Sequence, residues 1–404
     1  MTEGPILSTK KLEYSYQNGP PALKDISLGI RRGGKTAFLG PNGAGKSTLF
    51  LHFNGILRPK AGEVRYDGTP LRYDQKSLAA LRQDIAVVLQ NPDDQIFSAT
   101  VEEDVAFGPM NLELDREEVE RRVEESLHLV GMEDLRCRPT QQLSFGQRKR
   151  VSLAGALAMR PRVLIMDEPT AGLDSEMVHE LMELSDELNH GGMTMIMSTH
   201  DIEAAYEWAD EMIVLLKGEM LFSGTPEELF EHHDLLDRLR IVHPYAVRLN
   251  KQMHYRTGRP EAPFPRNLAE LTQKCFPRTM PADEASRFPR PDPSSGTLYI
   301  VDVEDPGLGG QVEEIAGRVA DAHRSSGVYG AKARRLMRDG GIDAHHSFHA
   351  LENAILWVSL GNDFVLYTDT SLISLVGEEL AKVERRVGLR TRVVFGGHMG
   401  SSTT

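Results

Sequence analysis

Apolar and polar positions follow two regular regimes along the chain, separated by a proline-dense stretch. Through residues 1–239, short apolar runs recur: TAFLG (36–40), IAVVL (85–89), VLIMD (163–167) and MTMIMST (193–199). Longer stretches between them place apolar residues three or four apart. Runs this short suit buried strands, and their alternation with helical stretches favours an α/β sheet of parallel strands. One helix is explicit: REEVERRVEESLHLV sets Val119, Val123, Leu127 and Val130 on one face.

The pattern breaks after Leu239. Pro260, Pro263, Pro265, Pro277, Pro281, Pro289, Pro291 and Pro293 crowd one stretch, so residues 240–296 are expected to be a linker or irregular excursion. Regularity resumes at 297. TLYIVDV reads as a strand, QVEEIAGRVADAH and FHALENAILWVSL as helices, DFVLYTD as a strand, SLISLVGEELAKVERRV as a helix and TRVVF as a strand. Residues 297–404 therefore predict a second, smaller α/β domain.

Composition narrows the function classes. A hydrophobic fraction of 40% and a charged fraction of 26% fit a globular chain. No apolar run approaches the ~18–20 residues that span a bilayer. The start of the chain lacks the basic, apolar and small-residue succession of a signal peptide. A cytoplasmic protein is expected, with any membrane role exercised through partners. Cys137 and Cys275 lie too far apart in sequence for a zinc spacing or a disulfide framework. A formal charge of −13 argues against a general nucleic-acid binder.

The pattern G-x-x-x-x-G-K-[S/T] occurs twice, as GIRRGGKT (29–36) and GPNGAGKS (40–47). A phosphate loop must leave a strand and open a helix, so that backbone N–H groups and the helix dipole converge on the phosphates. GIRRGGKT runs straight into the strand TAFLG and suits a turn. GPNGAGKS follows that strand and leads into the apolar TLFLHFNGI. Its glycines Gly40, Gly43 and Gly45 admit close backbone approach, and Pro41, Asn42, Ala44 and Thr48 complete the loop. Lys46 would reach the β- and γ-phosphates of ATP, and Ser47 would ligate Mg²⁺.

Downstream, VLIMDE delivers Asp167 and Glu168 where a strand should emerge. Paired acids there are often solvated turn residues. With a phosphate loop upstream, Asp167 suits Mg²⁺ and Glu168 suits polarising the attacking water.

With LSFGQRKR (143–150) between those motifs, residues 6–235 resemble the ATP-binding cassette (ABC) family. The resemblance implies a P-loop fold with a parallel or mixed sheet core and a helical signature subdomain. It further implies roles for single residues. Tyr16, in YSYQNG, would stack on adenine. Gln90, in VVLQNP, would sense Mg²⁺ and the γ-phosphate. Ser144, Gly146 and Gln147, following Leu143, match the signature that faces a partner's ATP. Asp174, in AGLD, belongs to the loop linking two active sites, and His200, in MSTHD, would contact the γ-phosphate. Phe145 departs from the commoner glycine while leaving those signature positions intact.

QNPDDQIFSATVEEDVAFGPMN (90–111), with SFGQRKRVSLAGALAMRP and DEPTAGLD, resembles the ATPases of energy-coupling factor importers, cobalt- and nickel-type above all. The resemblance implies an ATP hydrolase at the cytoplasmic face of the membrane. Its partners would be a second cassette (identical or a paralogue), a transmembrane coupling subunit and a substrate-capturing membrane component, with no nucleic acid. Import of a vitamin or other micronutrient is the alternative. Ile96, Phe97, Val105, Phe107 and Met110 are candidates for the docking groove, or for internal packing. Soluble ABC proteins acting on ribosomes or DNA carry two cassettes or a long coiled coil, and neither pattern occurs here. A non-hydrolysing regulatory module conflicts with Glu168 and His200.

In the tail, GVYGAKARRL and LGNDFVLYTDTSLISLV are similar to tails on some cobalt-type members, which suggests regulation or dimer stabilisation. Asp343, His345, His346 and His349 could hold a metal ion if His345 and His349 share a helical face. A solvated helix start explains them as well.

Overall fold

The computed structural model describes residues 4–17, 19–112, 114–258, 260–275, 296–309, 325–342, 344–347, 350–359, 362–387 and 392–395. The chain divides into two units, Met1–His243 and Pro244–Thr404.

The first unit is built on a six-stranded sheet in the order Glu219–Gly224, Glu211–Leu216, Lys35–Leu39, Thr194–Ser198, Val163–Asp167, Ile85–Val88. All neighbours run parallel except the first pair. Every residue of Val163–Asp167 and Thr194–Ser198 is buried, which is why these strands read as continuous apolar runs. An antiparallel sheet joins Pro21–Ile30, Leu7–Ser15, Ala61–Tyr66 and Thr69–Pro70. Phe50 and Phe53 of the helix Lys46–Phe53 share a core with Leu12 and Ile26 of that sheet and Ile165 and Ile196 of the larger one. The helix that opens the phosphate loop is thus fixed from both sides. The decoy GIRRGGKT takes in the end of the strand Pro21–Ile30, the start of Lys35–Leu39 and the four residues joining them, closed by Gly34 N donating to Arg31 O at 3.3 Å. It is a turn, as its context required.

The helices Val101–Met110, Arg116–Leu129 and Phe145–Ala158 pack on one another. Of the four apolar residues expected on one face, Val123, Leu127 and Val130 are buried and Val119 is half-buried.

The second unit holds a parallel sheet in the order Ser325–Tyr329, Phe364–Thr368, Thr297–Asp302, Arg392–Phe395. One face packs Leu298, Ile300 and Leu366 against Ala354, Val358 and Val376. The other packs Val301, Val328 and Val365 with Ala333 and Ile342. The helix expected over 311–323 lies outside the described residues.

One expectation is corrected here. Within 240–296, Tyr245–Thr257 and Leu268–Cys275 are helices, and Ala269 joins the core of the second unit. Pro244 caps the first helix, and Pro260, Pro263 and Pro265 fall between the two, so these prolines punctuate helices without breaking them. Residues 276–295 lie outside the described residues. In the tail, His345 and His346 precede the helix Ala350–Ser359 and run beside the strand Ser325–Tyr329. Their rings contact the hydroxyls of Ser326 (2.9 Å) and Ser325 (2.6 Å). Asp343 and His349 lie outside the described residues, and among those described no cluster of His, Cys, Asp or Glu could hold a metal ion.

Candidate functional site

The strand Lys35–Leu39 gives way to Gly40, whose φ of 147° and confinement leave no room for a side chain: a Cβ would lie 2.2 Å from Leu215 O. The loop closes with Ala44 N donating to Pro41 O (3.0 Å), and Gly45 caps the helix Lys46–Phe53 in a left-handed conformation without a side-chain cap. The N–H groups of the first turn therefore face outward with the positive end of the helix dipole. Lys46 is buried and folds back over the loop, donating to Gly40 O (2.6 Å) and Pro41 O (3.4 Å). Pro41, Asn42, Gly43 and Ser47 are exposed, whereas Ala44 and Thr48 are buried. Thr48 Oγ1 lies 3.2 Å from the hydroxyl of Tyr16, whose half-exposed ring meets Tyr14 edge-on.

Asp167 and Glu168 close the strand Val163–Asp167. Ser198, at the end of the neighbouring strand, organises both: its hydroxyl donates to Asp167 Oδ1 (2.5 Å) and accepts from Glu168 N (2.9 Å). Glu168 adopts φ of 45°, unusual for a residue with a side chain, and that turn aims its buried carboxylate at the phosphate loop. Glu168 Oε1 lies 3.8 Å from Lys46 Nζ. Glu168 Oε2 accepts from Gln90 Nε2 at 3.2 Å and lies 3.5 Å from Nδ1 of the largely exposed His200. Three residues far apart in sequence, Lys46, Gln90 and His200, thus converge on one carboxylate beside an anion-binding loop. Such an arrangement can bind a polyphosphate and present a base to water next to it.

Ser144, Gly146, Gln147 and Asp174 form a second cluster. Ser144 caps the helix Phe145–Ala158: its hydroxyl accepts from Gln147 N (3.2 Å), and Ser144 N donates to Gln147 Oε1 (3.0 Å). Asp174 caps the helix Ser175–His190 by accepting from Met177 N (2.9 Å). Among the described residues, no hydrogen bond or ion pair joins Ser144, Gly146 or Gln147 to the phosphate loop.

Of the docking candidates, Phe97, Phe107 and Met110 are exposed, and the two phenyl rings meet edge-on 4.6 Å apart. Ile96 is half-buried. Val105 is fully buried within the helical packing and is not part of that surface. Two residues of the site escape sequence reasoning, Ser198 and Lys149. Lys149 is a buried lysine that donates to the carbonyls of Glu168, Pro169 and Ala171. A strand-end serine and one lysine in a basic run carry no distinguishing signal.

Residues 23–171 match the ABC transporter family model. The energy-coupling factor transporter ATP-binding protein EcfA2 of Methanospirillum hungatei is 40% identical over 377 residues, covering 93% of each chain. The chain belongs to the energy-coupling factor transporter ATP-binding proteins. EcfA of Methanocaldococcus jannaschii is 50% identical over 244 residues, 60% of this chain and 88% of that one. The structure of cbiO1 from Clostridium perfringens, described as part of the ABC transporter complex cbiONQ, superposes with a TM-score of 0.54 at 43% identity. It covers 62% of this chain and all of that one. A dimeric cassette in a post-hydrolysis state with ADP and Pi aligns with a TM-score of 0.52 at 31% identity, covering 55% of this chain and 99% of that one. As an energy-coupling factor ATP-binding protein, the chain is an ATP-hydrolysing enzyme and ATP is its nucleotide. The match of 377 residues to EcfA2 necessarily runs into the second unit. No described helix of this energy-coupling factor protein is long and apolar enough to cross a membrane.

Proposed function

We propose that the chain is the ATPase subunit of an energy-coupling factor importer for cobalt or nickel ions, docked at the cytoplasmic face of the membrane. It would pair with a second cassette and drive a transmembrane coupling subunit and a metal-capturing membrane component. The observation that carries the catalytic half is the convergence of Lys46, Gln90 and His200 on Glu168. The metal specificity is supported by the likeness of residues 90–111 to the cobalt- and nickel-type branch and by the similarity to a subunit of cbiONQ.

Backbone N–H groups within residues 42–48 and the Lys46 ammonium take the β- and γ-phosphates, while Tyr16 offers its ring to adenine. Glu168 polarises the attacking water and His200 orients the γ-phosphate. Ser47, Gln90 and Asp167 supply a hydroxyl, an amide oxygen and one carboxylate. That hard-oxygen set fits Mg²⁺, which takes few protein carboxylates and completes its shell with phosphates and water. When bound, Mg²⁺ would supply positive charge that offsets that of the phosphates. Ser144, Gly146 and Gln147 would meet the γ-phosphate held by the partner cassette, with Asp174 at the junction of the two sites. ATP then favours the closed pair because only that state makes these contacts. Closure would move the exposed Phe97, Phe107 and Met110 with their membrane partner.

Co-purification of the full chain with small membrane proteins, followed by cobalt and nickel uptake by cells expressing the assembly, tests this reading. Uptake of either metal that is lost with Glu168→Gln supports it. An assembly that accumulates neither metal overturns the specificity.

A further inference from the structure

The Lys149 ammonium sits inside the protein, and among the described residues it has no carboxylate within ion-pair distance. Its three donors go to Glu168 O (3.1 Å), Pro169 O (2.7 Å) and Ala171 O (2.8 Å). These carbonyls belong to one turn, closed by Ala171 N donating to Glu168 O at 3.2 Å. One turn earlier on the same helix, the Phe145 ring lies with its centroid 5.6 Å from the ammonium. That ring also covers Gly172, where φ is 75° and a Cβ would lie 2.8 Å from Phe145 Cε1. Gly146 packs so closely on Met177 that a Cβ would meet its Cε at 2.4 Å. The start of the signature helix is therefore joined to residues 168–177 at three points.

A buried cation held by carbonyls and one aromatic ring, without a carboxylate, is a costly way to join two segments. An apolar side chain of similar length would avoid its desolvation. What the ammonium adds is direction, since it fixes three carbonyls at once. One of them belongs to Glu168, whose left-handed backbone leaves its carboxylate's aim dependent on that turn.

We propose that Lys149 is a positioning residue for ATP hydrolysis, tying the seating of the Ser144–Gln147 helix start on a nucleotide to the aim of the Glu168 carboxylate in the same chain. The inference rests on the role of Glu168 proposed above. Burial pulls the ammonium's pKa down to about 8, opposed by the Glu168 carboxylate, so the charged form still predominates at neutral pH.

The test uses the full-length chain with Lys149→Met, Lys149→Gln and Lys149→Arg, measuring kcat, KM and equilibrium binding of a non-hydrolysable ATP analogue. The expected result is a fall in kcat of about 10- to 100-fold for the Met variant, the scale set by sub-ångström misplacement of a catalytic group. KM and analogue affinity stay unchanged, and Lys149→Arg recovers most of the rate. Should thermal melting show that the Met variant does not fold, the Gln variant carries the same expectation. Wild-type kcat in the Met or Gln variant overturns the inference, as does a loss shared equally between kcat and binding. Glu168 is tested separately: wild-type turnover in Glu168→Gln overturns its role as base whatever Lys149 does.

Discussion

Gln90 Nε2 donates to Glu168 Oε2 across 78 residues of sequence. Gln90 follows the strand Ile85–Val88 and opens the segment that carries Phe97 and Phe107. One hydrogen bond from a neutral amide therefore connects an exposed aromatic surface to the carboxylate at the centre of the site. The amide must stay neutral for this to work. Gln90→Glu would place a second carboxylate about where the amide now sits, and like charges at that range raise a carboxylate's pKa. The acidic limb of the kcat–pH profile should move to higher pH in this variant, because Glu168 must lose its proton to act as base. An unshifted limb would show that Gln90 and Glu168 do not interact during turnover.

Glu168→Gln keeps shape and hydrogen bonding but removes the base. Turnover should fall by about 100- to 10,000-fold, the usual contribution of general acid–base catalysis, with ATP binding retained. Because ATP is bound but not spent, a cassette dimer should accumulate, visible by light scattering. Dimers that dissociate as readily as wild type under ATP would contradict the closure mechanism.

Lys46 contacts both the loop carbonyls and, at 3.8 Å, Glu168. Lys46→Ala removes the ammonium expected on the phosphates, and loss of one charge-assisted contact should weaken ATP binding about 10- to 100-fold in an equilibrium titration. Unchanged affinity would place the triphosphate elsewhere.

How much of this was legible follows from where the information lay. The strand Val163–Asp167 is buried along its whole length, so its apolar run and its two acids announced themselves. The strand Leu7–Ser15 is crossed by register shifts and a left-handed Lys11, which break the period of two on which a strand reading depends. Ser325–Tyr329 is equally buried yet begins Ser-Ser-Gly, so burial left no hydrophobic trace. Lys46, Asp167 and Glu168 sit in local motifs and could be read directly. Ser198 and Lys149 act through partners that only the fold brings near. Phe145, which looked like a departure within the signature, is a packing residue over Gly172.

Gly40 makes the loop's tightest approach, and its φ of 147° is open to glycine alone. Gly40→Ala would drive a Cβ to within 2.2 Å of the backbone oxygen of Leu215. Neither partner is a flexible side-chain tip, so the loop itself must shift. A destabilisation of about 2 kcal/mol or more is expected from strain at a special backbone position, along with weakened ATP binding. A melting temperature and affinity equal to wild type would show that the loop has slack.

His52 gives the phosphate-loop helix a pH dependence whose sign can be worked out. It is completely buried, its Nδ1 lies 2.7 Å from Thr48 O, and its ring meets Tyr14 edge-on. Contact with a carbonyl assigns the proton to Nδ1, and among the described residues the buried Nε2 has no hydrogen-bond partner. Protonating Nε2 would create a charged donor with nothing to bond, and burial accordingly holds the His52 pKa below its ordinary value despite the Thr48 contact. The unfolded chain therefore takes up more protons than the folded one as pH drops through the ordinary histidine range of about 6.5. Stability contributed by neutral His52 is fully present above that range and is lost progressively down to the folded pKa. His52→Gln keeps a donor for Thr48 O and removes the titration. Between about pH 7.5 and about pH 5.5, the melting temperature should fall further in the wild-type protein than in His52→Gln. Equal falls would assign the acid sensitivity to other groups.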